Sequence, residues 1–366
     1  MADLATAVTV LDACGKAGVA VLLWGPAGVG KSSVVRALAA AEGVPCETVL
    51  GSIREPADVG GYPVVRPDGV VLEAPAWART LAASPSGAVA FLDELTTSTP
   101  AVQAAMLAVS LDRRVGDLQL PDSVRVVAGA NPPDQAAGGW ELAAPLANRF
   151  CHVQFAPSVD EWLDGLTVGW SVLPVSRAVV PDGVRVETVK GLVAGFIRCR
   201  PELLHVLPGD DAAAGGAWPS PRTWTMLATA LAHVRHDDTA AWQALVFGLI
   251  GEGAGVEFLS WVREADLPDP AAVVDDPSIV DWQGRPDRVW AVLSAVVGWA
   301  ASSGSVEAWR SAWGPLLAAA RGGAVDVAAA AARPLSLCRP ASARVPKGVR
   351  DTFAPVLSAA GLAAVS

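Results

Sequence analysis

The chain of 366 residues contains no run of about 18 uninterrupted apolar residues, the length that a membrane-spanning helix requires. Its first fourteen residues, MADLATAVTVLDAC, also lack the basic segment and apolar core of a secretory signal. From these two absences we expect no membrane span and a cytoplasmic location.

Cysteine and histidine are scarce as well. The five cysteines, at positions 14, 46, 151, 199 and 338, are odd in number, widely scattered and never spaced as Cys-x-x-Cys. This distribution predicts neither a disulfide framework nor a zinc site, and we expect buried thiols. The four histidines likewise suggest no set of metal ligands.

Basic residues are outnumbered by acidic ones, with 27 Lys and Arg against 37 Asp and Glu and a formal net charge of -10. Because neutralisation of phosphates dominates binding to double-stranded DNA, this balance argues against a general nucleic-acid partner, although a local basic groove stays open. Hydrophobic residues make up 52% of the chain, enough for a substantial core. The length favours two or three domains.

The chain does contain a glycine-rich segment that is followed directly by a lysine and a serine. The segment Gly25-Pro26-Ala27-Gly28-Val29-Gly30-Lys31-Ser32 matches the pattern G-x-x-x-x-G-K-[ST] at every defined position. Glycines allow a tight turn that points successive amide N–H groups at phosphate oxygens, and the following helix adds the positive end of its dipole.

We therefore predict that residues 25–33, with Ser33 as the last, bind the nucleotide. Lys31 is predicted to reach the β and γ phosphates, and the Ser32 hydroxyl to ligate Mg²⁺. The alternative is a glycine-rich turn that carries a lysine by chance. The apolar run at 19–23 before the loop and the helical residues 33–41 after it disfavour that alternative.

A second apolar strand, residues 88–94, ends in the adjacent carboxylates Asp93 and Glu94. Side chains alternate in direction along a strand, so the two acids cannot do the same work. The first acid after such a strand lies by Mg²⁺ in phosphate-loop NTPases, which assigns Asp93 to the metal. Glu94 can then polarise the attacking water as a general base. A pair of solvated acids at a strand end is the alternative.

A third apolar strand, residues 124–130, ends at Asn131. Ligands of open α/β sheets collect at the carboxyl ends of the strands, so the Asn131 amide can orient water against the γ phosphate. An Asn-Pro turn without a catalytic role is the alternative.

In this order the motifs resemble those of an AAA+ ATPase, specifically the MoxR family of the helix-2-insert type, over roughly residues 5–240. The segment 142–150, LAAPLANRF, resembles the helix that ends in the family's arginine finger, which would be Arg149. The segment 218–223, WPSPRT, resembles the start of the sensor-2 helix, which would place Arg222 in a site. An arginine finger at a neighbour's nucleotide stabilises the charge that develops in the transition state. For both arginines, the alternative is a surface residue near a helix end. The sequence leaves open whether Arg222 acts within its own subunit.

Residues 51–73 are similar to the insert that faces the ring pore in MoxR-type proteins, with Asp68-Gly69 as the predicted hairpin turn. Residues 113–117 resemble the family's second hairpin. The resemblance implies a homo-hexameric ring that uses ATP and Mg²⁺ to remodel, mature or activate a protein, typically with a von Willebrand factor A-type partner. A nucleic-acid motor or loader is one alternative, and a phosphate-loop kinase or GTPase is another.

The predicted fold class is α/β, an AAA+ P-loop domain with a central parallel sheet followed by helices. We predict this core at residues 1–156, a helical lid carrying sensor 2 at 157–266 and a helical C-terminal extension at 267–366. In the extension, the tryptophans at 290, 299, 309 and 313 are spaced like a buried helical face.

Overall fold

The computed structural model describes residues 1–132, 135, 139–169, 173–265 and 267–359. The chain divides into two compact units, one formed by residues 1–179 and 205–255 and the other by residues 180–204 and 256–366. Residues of the predicted lid fall in both units. The three-part division predicted from the sequence stays a prediction.

The first unit is built on a parallel sheet. The strands of the described residues, in chain order, are β1 (Ala20–Trp24), β2 (Cys46–Leu50), β3 (Tyr62–Arg66), β4 (Gly69–Glu73), β5 (Ala88–Asp93), β6 (Arg114–Val115), β7 (Leu118–Gln119), β8 (Val124–Ala130) and β9 (Phe150–Gln154). Five of them form one sheet in the order β2-β5-β8-β1-β9, and every pairing in it is parallel. The three central strands are buried along nearly their whole length, as in a parallel sheet covered on both faces. The predicted central parallel sheet is confirmed.

Helices make up most of the remaining regular structure. In chain order they are α1 (Leu4–Lys16), α2 (Lys31–Glu42), α3 (Pro56–Gly60), α4 (Ala76–Ala82), α5 (Pro100–Asp112), α6 (Ala144–Ala147), α7 (Val159–Val168), α8 (Gly183–Cys199), α9 (Asp211–Ala214), α10 (Pro221–Ala232), α11 (Thr239–Ala265), α12 (Pro270–Asp275), α13 (Pro286–Ser303), α14 (Val306–Ser311), α15 (Trp313–Arg321), α16 (Val325–Leu337) and α17 (Val349–Ala359). Within the described residues, every regular element after β9 is helical, as predicted.

Two hairpins lie outside the sheet, β3 with β4 and β6 with β7. Both predicted hairpins are thus confirmed. The turn of the first is shifted by one residue from the prediction, because Gly69 already pairs with Arg66 and leaves Pro67 and Asp68 as the turn. The two hairpins contact each other, since the Asp117 amide donates to the Leu72 carbonyl and the Leu72 amide donates to the Asp117 carboxylate, each at 2.9 Å.

Helix α11 contains a stretch, Thr239–Glu264, that could cross a membrane by length and composition alone. However, 56% of its most apolar window is buried in the structure, and core helices of soluble proteins pass the same test. The backbone at Gly251 is also non-helical, with φ 76° and ψ 168°. This helix is weak evidence for a span, and the expectation of no membrane span stays a prediction.

All regular elements in the described residues of the second unit are helical. Trp309 and Trp313 are fully buried in its core, and their rings meet edge to face with centroids 5.7 Å apart. Trp299 packs against this core from a half-buried position. The ring of Trp290 instead lies under the guanidinium of Arg198, 4.3 Å from the ring centroid. The predicted buried face is therefore confirmed most clearly for Trp309 and Trp313.

The expectation of buried thiols is confirmed for Cys14 and Cys151 and is wrong for Cys199, which is exposed. Cys199 is the last residue of α8, so its side chain lies where the helix ends rather than within a packed face. Cys46 and Cys338 are half-buried.

Candidate functional site

The predicted phosphate-binding loop connects β1 to α2 at the carboxyl edge of the sheet. Gly30 caps α2 with φ 98°, a backbone conformation that strains any residue with a side chain. Lys31 is the first residue of the helix, so the amide groups of its first turn face the loop. Sequence and structure agree on this strand, loop and helix arrangement.

Lys31 is 8% exposed, and its ammonium group is turned into the loop. It donates hydrogen bonds to the Gly25 carbonyl at 2.6 Å, the Pro26 carbonyl at 3.1 Å and the Asn131 side-chain oxygen at 2.8 Å. Burial lowers the pKa of Lys31, while the nearby carboxylates of Asp93 and Glu94 oppose that shift. The structure thus brings Asn131 to Lys31 across 100 residues of sequence.

Ser32 and Asp93 also meet at this edge. The Ser32 hydroxyl donates to Asp93 Oδ2 at 2.7 Å, and the Glu94 amide donates to Asp93 Oδ1 at 2.9 Å. Gly129 on β8 leaves room for this carboxylate, because a Cβ there would lie 2.6 Å from Asp93 Oδ1. Both residues assigned to Mg²⁺ from the sequence are therefore in contact, and Gly129 joins them as a residue that motif analysis missed.

Glu94 lies beside this group with φ 58° and ψ 42°, a left-handed conformation that is uncommon for residues other than glycine. Its carboxylate accepts a hydrogen bond from the Ser52 hydroxyl. Sequence analysis missed Ser52. The available signal was its place two residues after β2, since the carboxyl ends of parallel strands meet at one edge of the sheet.

A cavity of about 630 Å³ adjoins the loop. Its volume lies in the range of small-molecule sites. The loop and the start of α2 form one wall, and α7 and neighbouring apolar residues form another. The lining residues are Leu4, Gly28, Val29, Gly30, Ser33, Val34, Phe155, Pro157, Glu161, Trp162, Asp164, Gly165, Val168, Gly169, Leu173 and Pro174. Loop residues Gly28, Val29 and Gly30 therefore line this cavity, whereas Ser32 contacts the Asp93 carboxylate.

Arg149 lies at the opposite edge of the sheet. It immediately precedes β9, whose first residue pairs with Ala20 at the start of β1, whereas the phosphate loop follows Trp24 at the end of β1. The five residues of β1 span about 16 Å at the usual rise of a strand. The structure thus does not bring Arg149 to the phosphate loop of the same chain.

Arg222 is the second residue of α10 and lies near Arg149. Burial and the positive charge of Arg222 lower the pKa of Arg149, and Asp112 partly offsets them. The Arg149 Nε atom is buried without a hydrogen-bond partner among the described residues. Another guanidinium nitrogen of Arg149 donates to the Pro145 carbonyl. The two predicted arginines therefore lie within electrostatic range of each other, apart from the group around Lys31.

One comparison with known proteins, against family models, agrees with this architecture. Residues 20–150 match the family model of the AAA domain, dynein-related subfamily. A comparison with curated protein sequences gave no match. A protein from Cytophaga hutchinsonii, provisionally described as an ATPase and solved at 2.00 Å, is 16% identical, with 69% of this chain and 86% of that chain covered and a TM-score of 0.44. That similarity is too low to support an argument about function.

The matched segment runs from the first residue of β1 to the first residue of β9, and so contains the loop, the carboxylates, Asn131 and both hairpins. The α/β part of this chain therefore has the AAA+ fold.

Proposed function

We propose that the chain is an ATPase that hydrolyses ATP to ADP and phosphate with Mg²⁺. One observation supports this most directly. Lys31, Ser32, Asp93 and Asn131 come from three separated segments, and hydrogen bonds join them in two contacts at the carboxyl edge of the sheet. This is the edge at which open α/β sheets bind nucleotides.

The residues present fit both ATP and Mg²⁺. The glycine-capped start of α2 suits a polyphosphate, because free amide groups and the helix dipole both favour an anion there. The adjoining cavity, with its apolar lining from Leu4, Phe155 and Trp162, suits a base and ribose. A hydroxyl and a carboxylate within hydrogen-bond distance are oxygen donors of the kind that Mg²⁺ prefers.

In the proposed reaction, Lys31 binds the phosphates and Asn131 orients the attacking water. Ser32 and Asp93 would hold Mg²⁺, which when bound supplies positive charge that stabilises the phosphate oxygens. Glu94 accepts a proton from the water as it attacks, so its carboxylate must be free to leave the Ser52 hydroxyl. In the resting arrangement that hydroxyl holds the carboxylate in place.

We further propose that the chain forms a ring of the MoxR type, a homo-hexamer in which Arg149 stabilises charge at the neighbour's nucleotide. The position of Arg149 before β9 supports action on another subunit, since its own loop lies at the other end of the sheet. A buried guanidinium atom without a partner in the described chain is also what such a group needs before it meets an anion.

A protein partner, such as a von Willebrand factor A-type protein, is proposed to bind at the two hairpins. Val65 and Val70 near the tip of the first hairpin are 83% and 66% exposed, and Tyr62 and Leu72 at its base are each 42% exposed. Exposed apolar side chains on a hairpin are unfavourable in water unless another surface covers them. The acidic balance of the whole chain argues against a general nucleic-acid partner.

Two substitutions test the hydrolysis. Lys31→Ala should abolish ATP binding, because the phosphates lose their point charge. Glu94→Gln should keep ATP binding and abolish phosphate release. Lys347→Ala, which removes an exposed lysine of the second unit, is the matched control and should change neither. Hydrolysis by Glu94→Gln at the wild-type rate would show that the base is another residue.

The Glu94→Gln variant also serves to identify the partner, because it should hold ATP and keep an ATP-dependent complex together. Affinity purification followed by mass spectrometry should recover a protein. A variant of this trap with residues 64–70 deleted should lose that protein and still bind ATP. Recovery of nucleic acid by the trap would instead favour a motor or loader.

A further inference from the structure

Asn148, the residue before Arg149, is 3% exposed and joins the arginine segment to the start of α10. Its side-chain Nδ2 donates to the Trp218 carbonyl at 3.1 Å, and its Oδ1 accepts from the Ser220 hydroxyl at 2.7 Å. Both ends of the amide are thus used, one as donor and the other as acceptor. A carboxylate of the same shape could accept from Ser220 but would face the Trp218 carbonyl without a proton to donate.

The short helical segment before Arg149 is not stable by itself. Helix α6 has four residues, and one turn of helix is unstable without tertiary contacts. Asn148 is the residue that ends it. Buried hydrogen bonds to a neighbouring element are therefore what fixes the backbone from which Arg149 projects.

The other side of the contact presents Arg222. Ser220 caps α10, and its hydroxyl oxygen accepts a hydrogen bond from the Thr223 amide at 3.2 Å while the hydroxyl donates to Asn148. Arg222 is two residues after this cap. Arg149 and Arg222 thus lie one and two residues from the same buried hydrogen bond, although their like charges repel.

We propose that Asn148 is a positioning residue that holds Arg149 and Arg222 as a pair through its contacts with Trp218 and Ser220. This inference depends on the proposed ATPase function. In the assembled ring, the pair would be presented as a unit to an anionic nucleotide on the neighbouring subunit. Asn148 would then act on turnover without touching the nucleotide.

Steady-state hydrolysis by Asn148→Asp tests the proposal. Because an error of about 1 Å in a catalytic group costs up to about 100-fold, kcat should fall by about 10- to 100-fold. Nucleotide binding to isolated subunits should stay within about twofold, since the loop is untouched. Ser220→Ala should lower kcat similarly, and Ser220→Thr, which keeps the hydroxyl, should restore it. If Asn148→Asp fails to fold, the two Ser220 variants provide the same comparison.

Thr225→Ala is the matched control, because the hydroxyl of this exposed threonine donates to the Pro221 carbonyl within its own helix, at 2.8 Å. It should hydrolyse ATP like the wild type. Asn148→Ala combined with Ser220→Ala should lose less kcat than the product of the two single losses, since both variants remove the same Asn148–Ser220 hydrogen bond. Additive losses in that double variant would overturn the proposal.

Subunit mixing separates positioning from local damage. Asn148→Asp subunits keep Glu94, so combined with inactive Glu94→Gln subunits, which keep an intact Arg149, they should regain turnover at mixed interfaces. Failure to regain turnover in mixed rings verified by sedimentation would overturn the proposal. Wild-type turnover by Asn148→Asp would also overturn it and leave the ATPase function standing, whereas a wild-type protein that does not hydrolyse ATP would overturn both.

Discussion

Acidification should destabilise the first unit through one buried histidine, His152. Its Nδ1 accepts a hydrogen bond from the Trp24 indole at 2.9 Å, so Nε2 carries the proton and donates to the Ala147 carbonyl at 2.9 Å. The ring is therefore neutral and fully paired. Burial lowers the pKa of His152 from 6.5 to about 4, although the bond to Ala147 partly opposes that shift.

The sign of the effect follows from proton binding. Between pH 6.5 and about 4, the unfolded chain binds a proton at His152 and the folded chain does not. Stability from this group is therefore fully present above pH 6.5 and is lost as the pH falls towards about 4. These two pKa values give a loss of about 2 kcal/mol in the free energy of unfolding between pH 7 and pH 5.

Hydrogen exchange at the amides of β1 and β9, measured at pH 7 and pH 5 and corrected for intrinsic rates, reports the opening of the sheet. Other groups titrate as well, so the comparison is with His152→Gln, which cannot titrate. Between pH 7 and pH 5, the free energy of unfolding should fall by about 2 kcal/mol more in the wild type than in this variant. His236→Gln, which removes an exposed histidine of the same unit, should behave like the wild type.

An equal loss in the wild type and in His152→Gln would refute the argument, because the pH dependence would then come from other groups. Titration of the His152 ring near pH 6.5, measured by exchange of its carbon-bound proton, would refute it independently. In that case the ring would not be the buried, neutral link between Trp24 and Ala147.

The remaining predictions concern the proposed reaction. Gly129→Ala should raise the Mg²⁺ concentration needed for half-maximal turnover, as Asp93→Ala should. The reason is that a Cβ at position 129 would lie 2.6 Å from the Asp93 carboxylate. An unchanged Mg²⁺ titration would contradict this. Arg149→Ala should lower turnover by about 10³- to 10⁵-fold if it acts as a finger, and phosphate release measures this. Inactive Arg149→Ala and Glu94→Gln subunits, mixed into verified rings, should regain activity, and silence would mean that Arg149 serves its own subunit.

Much of the fold could be predicted because its signals are local. Strand β8 was predicted at residues 124–130 and lies there, and β1 is displaced by one residue from the predicted run at 19–23. The gathering of Lys31, Asp93 and Asn131 follows from one further rule, since parallel strands place their carboxyl ends at one edge. No structure was needed to expect them together.

Contacts between distant segments could not be predicted in the same way. Asn148 meets Trp218 and Ser220 across 70 and 72 residues. No periodicity or turn signal records which polar side chain will face another after folding. The exposure of Cys199 was not predicted for a related reason, because composition does not show where a helix end meets solvent.

Helix α5 connects the region of Glu94 to the second hairpin, so a movement at one end can be transmitted to the other. Its 13 residues extend about 20 Å from Pro100, shortly after Glu94, to Asp112, directly before the second hairpin. If the helix tilted by about 10° about its Glu94 end, its far end would move by about 3 Å. Since Asp117 and Leu72 share two hydrogen bonds, the second hairpin would pull the first along with it. A tilt of about 10° at the site would therefore displace the hairpins by about the length of one residue.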